Sequence, residues 1–246
     1  MNCGPVFPGS GRIIEGQSLY HDVDFVIMAA GSGTRMQQSI KKQWMPIAKK
    51  PLFLYTVLRF LSFGADSIIV VVHPDDVLAT RETLRKDGVS LSLFQVVTGG
   101  FDRQESVFYG LCASSRPLVA VHDAARPFVM ENDVLSVVTE ARRSGAATLG
   151  YPVRDTLIAV EQTTMTHTLA RDGIWQVQTP QVFFRDWLTM AHVKARQEGF
   201  HGTDDTTLLG RLGYAVHVVR GSAFNVKITE PGDELFIKLW EARECE

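Results

Sequence analysis

The sequence predicts an α/β fold: a doubly wound, mostly parallel sheet with an inserted β-arm. Short β-branched runs recur from Asp24 onward, and stretches of helical spacing separate them. The runs are continuously apolar, as in strands covered on both faces. Strand and helix alternate, the order of parallel strands joined by crossover helices.

In chain order, residues 1–22 read as a disordered N-terminal extension. They carry Gly4, Pro5, Pro8, Gly9, Gly11 and Gly16 without sustained periodicity, so they bury too little to offset the entropy of ordering. Residues 23–243 read as a single domain. Its first strands fall at 25–30, 67–73, 91–97, 118–122 and 146–151. Between them Phe53, Leu54, Val57, Leu58 and Leu61 share one helical face behind Pro51, a residue suited to a helix start. Asp75-Asp76 and Asn132-Asp133 supply side-chain acceptors and negative charge for two further helix N-termini. Residues from about 155 to 180 break the rhythm. Strand-like 156–160 and 174–178 are separated by Thr-rich sequence and Asp172-Gly173, which predicts the β-arm. Helices at 184–197 and near 206–212, a strand at 214–219 and a terminal helix after Pro231 complete the chain. Ligands of such sheets bind outside the carboxyl ends of the strands.

Composition narrows the function classes. The 246 residues are 45% hydrophobic, enough for one ordinary core. Lys and Arg total 25 against 27 Asp and Glu, a net charge of −2, so no overall field favours nucleic acid or an anionic membrane. The apolar run at 68–72 is far short of the ~20 residues that span a bilayer. Cys3, Cys112 and Cys245 are too few and too scattered for a disulfide framework, and the N-terminus lacks the basic and apolar regions of a secretory signal. The expectation is a cytoplasmic protein without nucleic-acid or membrane partners. No His or Cys spacing suggests zinc, and no Gly-x-Ser-x-Gly elbow suggests a hydrolase.

The first strand runs into Ala29-Ala30-Gly31-Ser32-Gly33-Thr34-Arg35-Met36. Glycines at a strand's carboxyl end let backbone N–H groups approach a phosphate chain. Met36 occupies the third-glycine position of a dinucleotide fingerprint and no Gly-Lys-Ser/Thr follows, so neither common phosphate loop fits. A bare strand-to-helix turn competes with a ligand site on the glycines alone. Arg35, Lys41 and Lys42 shift the balance, because displacement at an α-phosphorus spreads charge that nearby cations stabilise. For an isolated Lys-Lys pair the ordinary alternative is a solvated basic face.

Gly99-Gly100-Phe101-Asp102-Arg103-Gln104-Glu105-Ser106 precedes a helix, so Arg103 and Ser106 could meet a base or sugar; a capped turn is the plainer alternative. In His122-Asp123-Ala124-Ala125-Arg126-Pro127, Asp123 is a hard-oxygen ligand for Mg²⁺ or a self-bonded turn aspartate, Ala124-Ala125 leave room for substrate, and Arg126 could equally be a surface ion pair. Arg154-Asp155-Thr156, Arg171, Thr179-Pro180-Gln181, Asp204-Asp205-Thr206 and Asn225-Val226-Lys227-Ile228-Thr229 are further polar candidates, any one of which would pass as scaffold.

With these residues in view, the chain resembles the 2-C-methyl-D-erythritol 4-phosphate cytidylyltransferase family of nucleotidyltransferases from about residue 24 to about 240. The resemblance rests on Ala-Ala-Gly-x-Gly-x-Arg-Met at 29–36, Lys-Gln at 42–43, Lys-Pro at 50–51, Gly-Gly-x-x-Arg-x-x-Ser-Val at 99–107 and His-Asp-Ala-Ala-Arg-Pro at 122–127. It continues through Pro-Val-Arg-Asp-Thr at 152–156, Thr-Pro-Gln at 179–181, Thr-Asp-Asp at 203–205 and Asn-x-Lys-x-Thr at 225–229. It implies a Rossmann-like fold, with CTP and a phosphorylated polyol as substrates and Mg²⁺ as cofactor. It further implies catalytic roles for Arg35, Lys42 and Lys227, and nucleotide contacts from Ala29, Ala30, Gly31, Ser32, Gly33, Gly100, Arg103, Ser106 and Ala124. Asp123, Thr156, Arg171 and Thr179 would bind substrate, Asp123 would also hold the metal, and the β-arm would carry Thr156 and Arg171 across a homodimer. Lys41 stands where the family usually has proline, and Phe101 and Phe224 where some relatives are acidic. A ribitol-5-phosphate cytidylyltransferase, a UTP- or GTP-dependent relative and a non-catalytic nucleotide-binding relative are the competing readings; Thr203-Asp204-Asp205 and Val153-Arg154-Asp155-Thr156 favour methylerythritol phosphate.

Overall fold

The elements follow one another as β1 (Ile13–Ile14), β2 (Gln17–Ser18), β3 (Val23–Ala29), β4 (Pro46–Ile47), β5 (Lys50–Pro51), α1 (Leu52–Ser62), β6 (Ile68–Val72), α2 (Val77–Lys86), β7 (Phe94–Thr98), α3 (Arg103–Ala113), β8 (Leu118–Asp123), α4 (Glu131–Ser144), β9 (Ala146–Pro152), β10 (Leu157–Glu161), β11 (Thr164–Leu169), β12 (Trp175–Phe184), α5 (Arg185–Gln197), α6 (Asp205–Arg211), β13 (His217–Arg220) and α7 (Glu234–Glu244). The computed structural model describes residues 13–14, 17–31, 41–47, 49–229 and 231–244.

Among the described residues a seven-stranded sheet runs in the order β13-β9-β12-β8-β3-β6-β7. Pairing is parallel at β3-β6, β6-β7, β3-β8 and β9-β13. β12 alone runs antiparallel to both its neighbours, so the sheet is mostly parallel, as the apolar runs predict. Alternation along the strands divides the core. Phe25, Ile27 and Val70 face the layer of Phe53, Val57 and Phe60 from α1 and Val134, Val137 and Ala141 from α4. Val26, Ile69 and Val71 face Val107 and Leu111 of α3, Leu188 and Ala191 of α5, and Leu208 and Leu209 of α6. Each central strand therefore buries both faces, which is why its sequence is continuously apolar.

A third apolar cluster joins Leu52 and Tyr55 of α1 to Phe128, Ile228, Ile237 and Trp240. Trp240 Nε1 donates to the Tyr55 hydroxyl at 2.8 Å. This cluster fixes the 225–229 segment against the sheet, with the Ile228 N–H donating to the Ala125 carbonyl at 2.8 Å.

Two expectations need correction. The segment assigned to a loose extension packs against the core by residue 18: Tyr20 is fully buried with its ring 5.3 Å from Phe25, Ser18 Oγ donates to the Gly64 carbonyl, and Arg142 pairs with Asp22 at 2.6 Å. Burial of one aromatic ring is what the glycine-rich composition concealed; residues 1–12 lie outside the described residues. Within the arm, β10 pairs with β11 across a tight turn at Gln162 (φ 55°). The strand at 174–178 is not the arm's second strand. It opens β12, where Trp175 pairs with Pro152 of the main sheet. The arm's second strand is Thr164-Met165-Thr166-His167-Thr168-Leu169, whose alternating β-branched threonines suit a strand although their polar look obscured it.

Candidate active site

The strand order reverses between β3 and β8, so a crevice opens at the carboxyl ends of β3, β6, β7 and β8. It forms a cleft of about 1060 Å³ lined by Ala29, Ala30, Gly31, Lys42, His73, Gly100, Arg103, Ser106, Asp123, Ala124 and Lys227, among others. Residues far apart in the chain thus meet around one space. Ser32, Gly33 and Arg35 lie outside the described residues.

Asp123 ends β8 on the floor of the cleft, 8% exposed. Three cations surround its carboxylate: Lys227 Nζ at 2.6 Å, Arg103 Nε at 3.8 Å and Arg126 Nε at 3.9 Å. Burial disfavours the charged form, but the charges of Lys227 and Arg103, the Lys227 hydrogen bond and Arg126 outweigh it and hold this carboxyl well below the usual carboxylate range. Asp123 is therefore ionised throughout the physiological range and is paired to the cleft's cations rather than to its own turn.

Behind it lies a relay the sequence did not reveal. The Asp123 backbone N–H donates to Thr179 Oγ1 at 3.1 Å, and that hydroxyl sits 3.1 Å from His122 Nδ1. His122 Nε2 is 3.0 Å from the Arg126 carbonyl, which can only accept. The proton is consequently on Nε2, and Thr179 donates to Nδ1. Both partners suit a neutral ring, and complete burial pushes the His122 pKa down to about 4. The unfolded chain binds this proton more readily, so the stabilisation is complete above pH 6.5 and is lost as pH falls toward 4. Urea unfolding is expected to show about 2 kcal/mol less stability at pH 5 than at pH 7 from this group. A His122→Asn variant should be less stable at pH 7 and distinctly flatter across that interval; an unchanged slope would remove His122 as its source.

Arg103 begins α3 and bridges two carboxylates, donating from Nη1 to Asp205 Oδ2 at 2.8 Å while its Nε faces Asp123. Burial lowers its pKa, but Asp205 and Asp123 more than compensate and raise it above its usual value. Asp205 is itself buried and held by His192 Nε2 at 3.1 Å. Thus two residues of the α5–α6 region, missed as a unit because they lie far from Arg103 in sequence, aim a cleft cation. Ser106 is buried beneath the turn; its hydroxyl accepts from the Gly100 N–H at 3.0 Å and donates to the Asp102 carbonyl at 2.7 Å. Gly99 is required by close approach, because a Cβ there would stand 2.6 Å from the Ala30 Cβ. Phe101 sits fully exposed at the cleft's rim.

Lys42 starts a short 3-10 turn, Lys42–Trp44, and Trp44 packs edge-on against Phe53 at 5.0 Å. Lys227 lines the same cleft from the segment that the third apolar cluster holds, with Arg126 Nη1 donating to the Asn225 carbonyl at 2.7 Å.

Three candidates fall outside the cleft lining. Thr179 is 5% exposed and spends its hydroxyl on Asp123 and His122, so it supports the floor from behind. Thr156 and Arg171 are exposed on the arm, where Arg171 Nη1 donates to the Arg154 carbonyl; neither lines this chain's own cleft.

A family model described as 2-C-methyl-D-erythritol 4-phosphate cytidylyltransferase matches residues 23–239. A protein of that name from Halalkalibacterium halodurans is 41% identical over 213 residues, covering 86% of this chain and 93% of its own. Another from Syntrophus aciditrophicus is 40% identical, covering 89% and 97%. Among solved structures, the enzyme of that name from Thermus thermophilus is 34% identical with a TM-score of 0.72, covering 90% and 98%. The 4-diphosphocytidyl-2C-methyl-D-erythritol synthase from Anaerococcus prevotii gives 28% and 0.75, covering 90% and 96%.

Proposed function

The chain belongs to the 2-C-methyl-D-erythritol 4-phosphate cytidylyltransferase family, and from that membership we propose how its cleft performs the transfer. The enzyme moves the CMP moiety of CTP onto 2-C-methyl-D-erythritol 4-phosphate. An oxygen of the polyol phosphate forms a bond to the α-phosphorus, the bond from that phosphorus to the bridging oxygen breaks, and pyrophosphate leaves. The product is 4-diphosphocytidyl-2-C-methyl-D-erythritol, in the non-mevalonate isoprenoid pathway. The observation that carries the reading is Lys42 and Lys227 lining one cleft around ionised Asp123, beside the glycine turns at the carboxyl ends of β3 and β7.

Catalysis here is positioning and charge neutralisation. The backbone of Ala29, Ala30 and Gly31 lines the cleft where the nucleotide would lie, and Ser32 and Gly33 are assigned nucleotide contacts with them. Gly100, Arg103 and Ala124 hold cytidine, with Ser106 bracing Gly100. Arg35 and Lys42 offset charge on the phosphates, and Lys227 turns from Asp123 to the α-phosphate. Asp123, an ionised carboxylate on the cleft floor, is the kind of hard oxygen donor that would hold Mg²⁺. When bound, Mg²⁺ would neutralise phosphate charge.

The arm carries the second half of the proposal. Ile158 and Val160 share one face of β10, Met165 pairs with Val160 across the hairpin, and all three are 46–53% exposed, an apolar surface suited to a second copy of the chain. In such a homodimer Thr156 and Arg171 would reach the partner's cleft and bind the polyol phosphate, while Thr179 supports Asp123. Arg171→Ala is expected to raise KM for methylerythritol phosphate about tenfold or more, as loss of a charge-assisted phosphate contact does, and to leave KM for CTP unchanged. Mixing Arg171→Ala with Lys42→Ala protein should restore activity, since mixed dimers hold one intact site. Equal damage to both substrates would sink the assignment.

No helix among the described residues is long and apolar enough to cross a membrane. The balanced charge and scattered cysteines support a cytoplasmic setting with small-molecule substrates rather than nucleic acid. The deciding experiment is pyrophosphate release from CTP and Mg²⁺ with methylerythritol phosphate and ribitol 5-phosphate in parallel. Release with the first alone is expected; release with ribitol phosphate alone would overturn the acceptor, and CTP binding without turnover would favour a non-catalytic relative.

A further inference from the structure

We propose that Asp76 is a positioning residue for Lys42, gripping the residues on either side of it. The Lys41 ammonium donates to both oxygens of the Asp76 carboxylate, at 2.9 and 3.0 Å. The Gln43 side-chain amide donates to the same group at 3.1 Å. Residues 41 and 43 thus end on one carboxylate, while the Lys42 side chain between them lines the cleft, which neither Lys41 nor Asp76 does.

The anchor is well founded. Asp76 lies just past the carboxyl end of β6, its N–H donating to the His73 carbonyl at 2.9 Å, so it moves with the central sheet. As the residue before α2 it was expected to cap that helix, yet its side chain makes no capping bond. The carboxylate is committed to the loop instead, although capping is what such a residue ordinarily supplies. Gln43 is 6% exposed and Asp76 9%, so the amide's hold on the carboxylate is shielded from water, while the Lys41 side chain is 36% exposed and its ion pair is partly open to screening by salt. Lys41 has φ −58° and ψ 136°, the extended conformation from which the chain turns directly into Lys42–Trp44. In that conformation a proline would hold the backbone by its ring; here an ion pair to the sheet holds it.

This inference rests on Lys42 acting over the triphosphate. Its consequence is that loss of Asp76 should act through Lys42, in the transition state more than in CTP binding. Displacement of a catalytic group by about 1 Å can cost on the order of 10²-fold in rate.

The test compares Asp76→Ala, Asp76→Asn, Lys42→Ala and the double variant Lys42→Ala/Asp76→Ala. The readouts are kcat and KM for CTP, with melting temperature confirming the fold. Asp76→Ala is expected to lower kcat about 10- to 100-fold with little change in KM. Asp76→Asn, which keeps the volume and an acceptor for Gln43 and so guards against misfolding, should show a smaller loss in the same direction. In the Lys42→Ala background, removing Asp76 should cost less than about twofold more, because residues acting as one unit are not additive. A wild-type kcat in folded Asp76→Ala, or the same fold-loss with and without Lys42, would overturn the proposal while Lys42 kept its role. Wild-type kcat in Lys42→Ala would overturn the reading of Lys42 and this proposal together.

Discussion

Alanine in place of Lys42 is expected to lower kcat by about 10²–10³, the usual consequence of removing one preorganised charge from a transition state. KM for CTP should change much less. The argument is geometric. Lys42 is carried on a short turn braced by Trp44 against Phe53 and by the bonds of its neighbours to Asp76, so its position is set before substrate arrives. A charge held in advance acts most strongly where negative charge grows, on the equatorial oxygens of the α-phosphorus, rather than where charge is already present. Single-turnover pyrophosphate release at saturating CTP reads this directly. Rapid release in a folded Lys42→Ala enzyme would take Lys42 out of the mechanism.

Much of this site is legible in sequence because its parts sit at strand ends. Gly31, Gly99-Gly100 and Asp123 each stand at the carboxyl end of a β-rich run, and a doubly wound sheet delivers the carboxyl ends of such runs to one crevice. What stays hidden depends on contacts between distant segments. Nothing near Thr179 in the chain says that its hydroxyl will lie between His122 and the Asp123 amide, 57 and 56 residues away. Asp76 reads as a helix cap because local spacing is all the sequence displays, and its true partners lie 33 and 35 residues back. The arm was visible as a break in rhythm, but its register was not, since strand pairing depends on which edge β12 meets. Tyr20 was masked in the same way: a glycine- and proline-rich neighbourhood says nothing of a single ring that finds Phe25.

Lys227 offers the second large effect, and its signature should differ from that of Lys42. Its ammonium lies 2.6 Å from Asp123 and is the nearest of the three cations around that carboxylate. Lys227→Met therefore does two things at once. It removes a positive charge from the α-phosphate's side of the cleft, which should lower kcat by about 10²–10³. It also leaves Asp123 less neutralised on the cleft floor, where its field opposes an incoming triphosphate. With divalent metal removed by chelation, so that only the chain's own charges act, CTP should bind the Lys227→Met protein about tenfold or more weakly than wild type. Adding Asp123→Asn to Lys227→Met removes the uncompensated charge. Affinity for metal-free CTP should then recover toward wild type while kcat does not, because neutralising Asp123 restores the field, whereas the cation at the α-phosphorus stays missing and the carboxylate assigned to Mg²⁺ is lost as well. Equilibrium dialysis with labelled CTP, beside pyrophosphate release, separates the two. If the second substitution weakens metal-free CTP binding further, Asp123 contacts the nucleotide as a hydrogen-bond acceptor in its own right, and the opposition of charges between Asp123 and the triphosphate is not what Lys227 relieves.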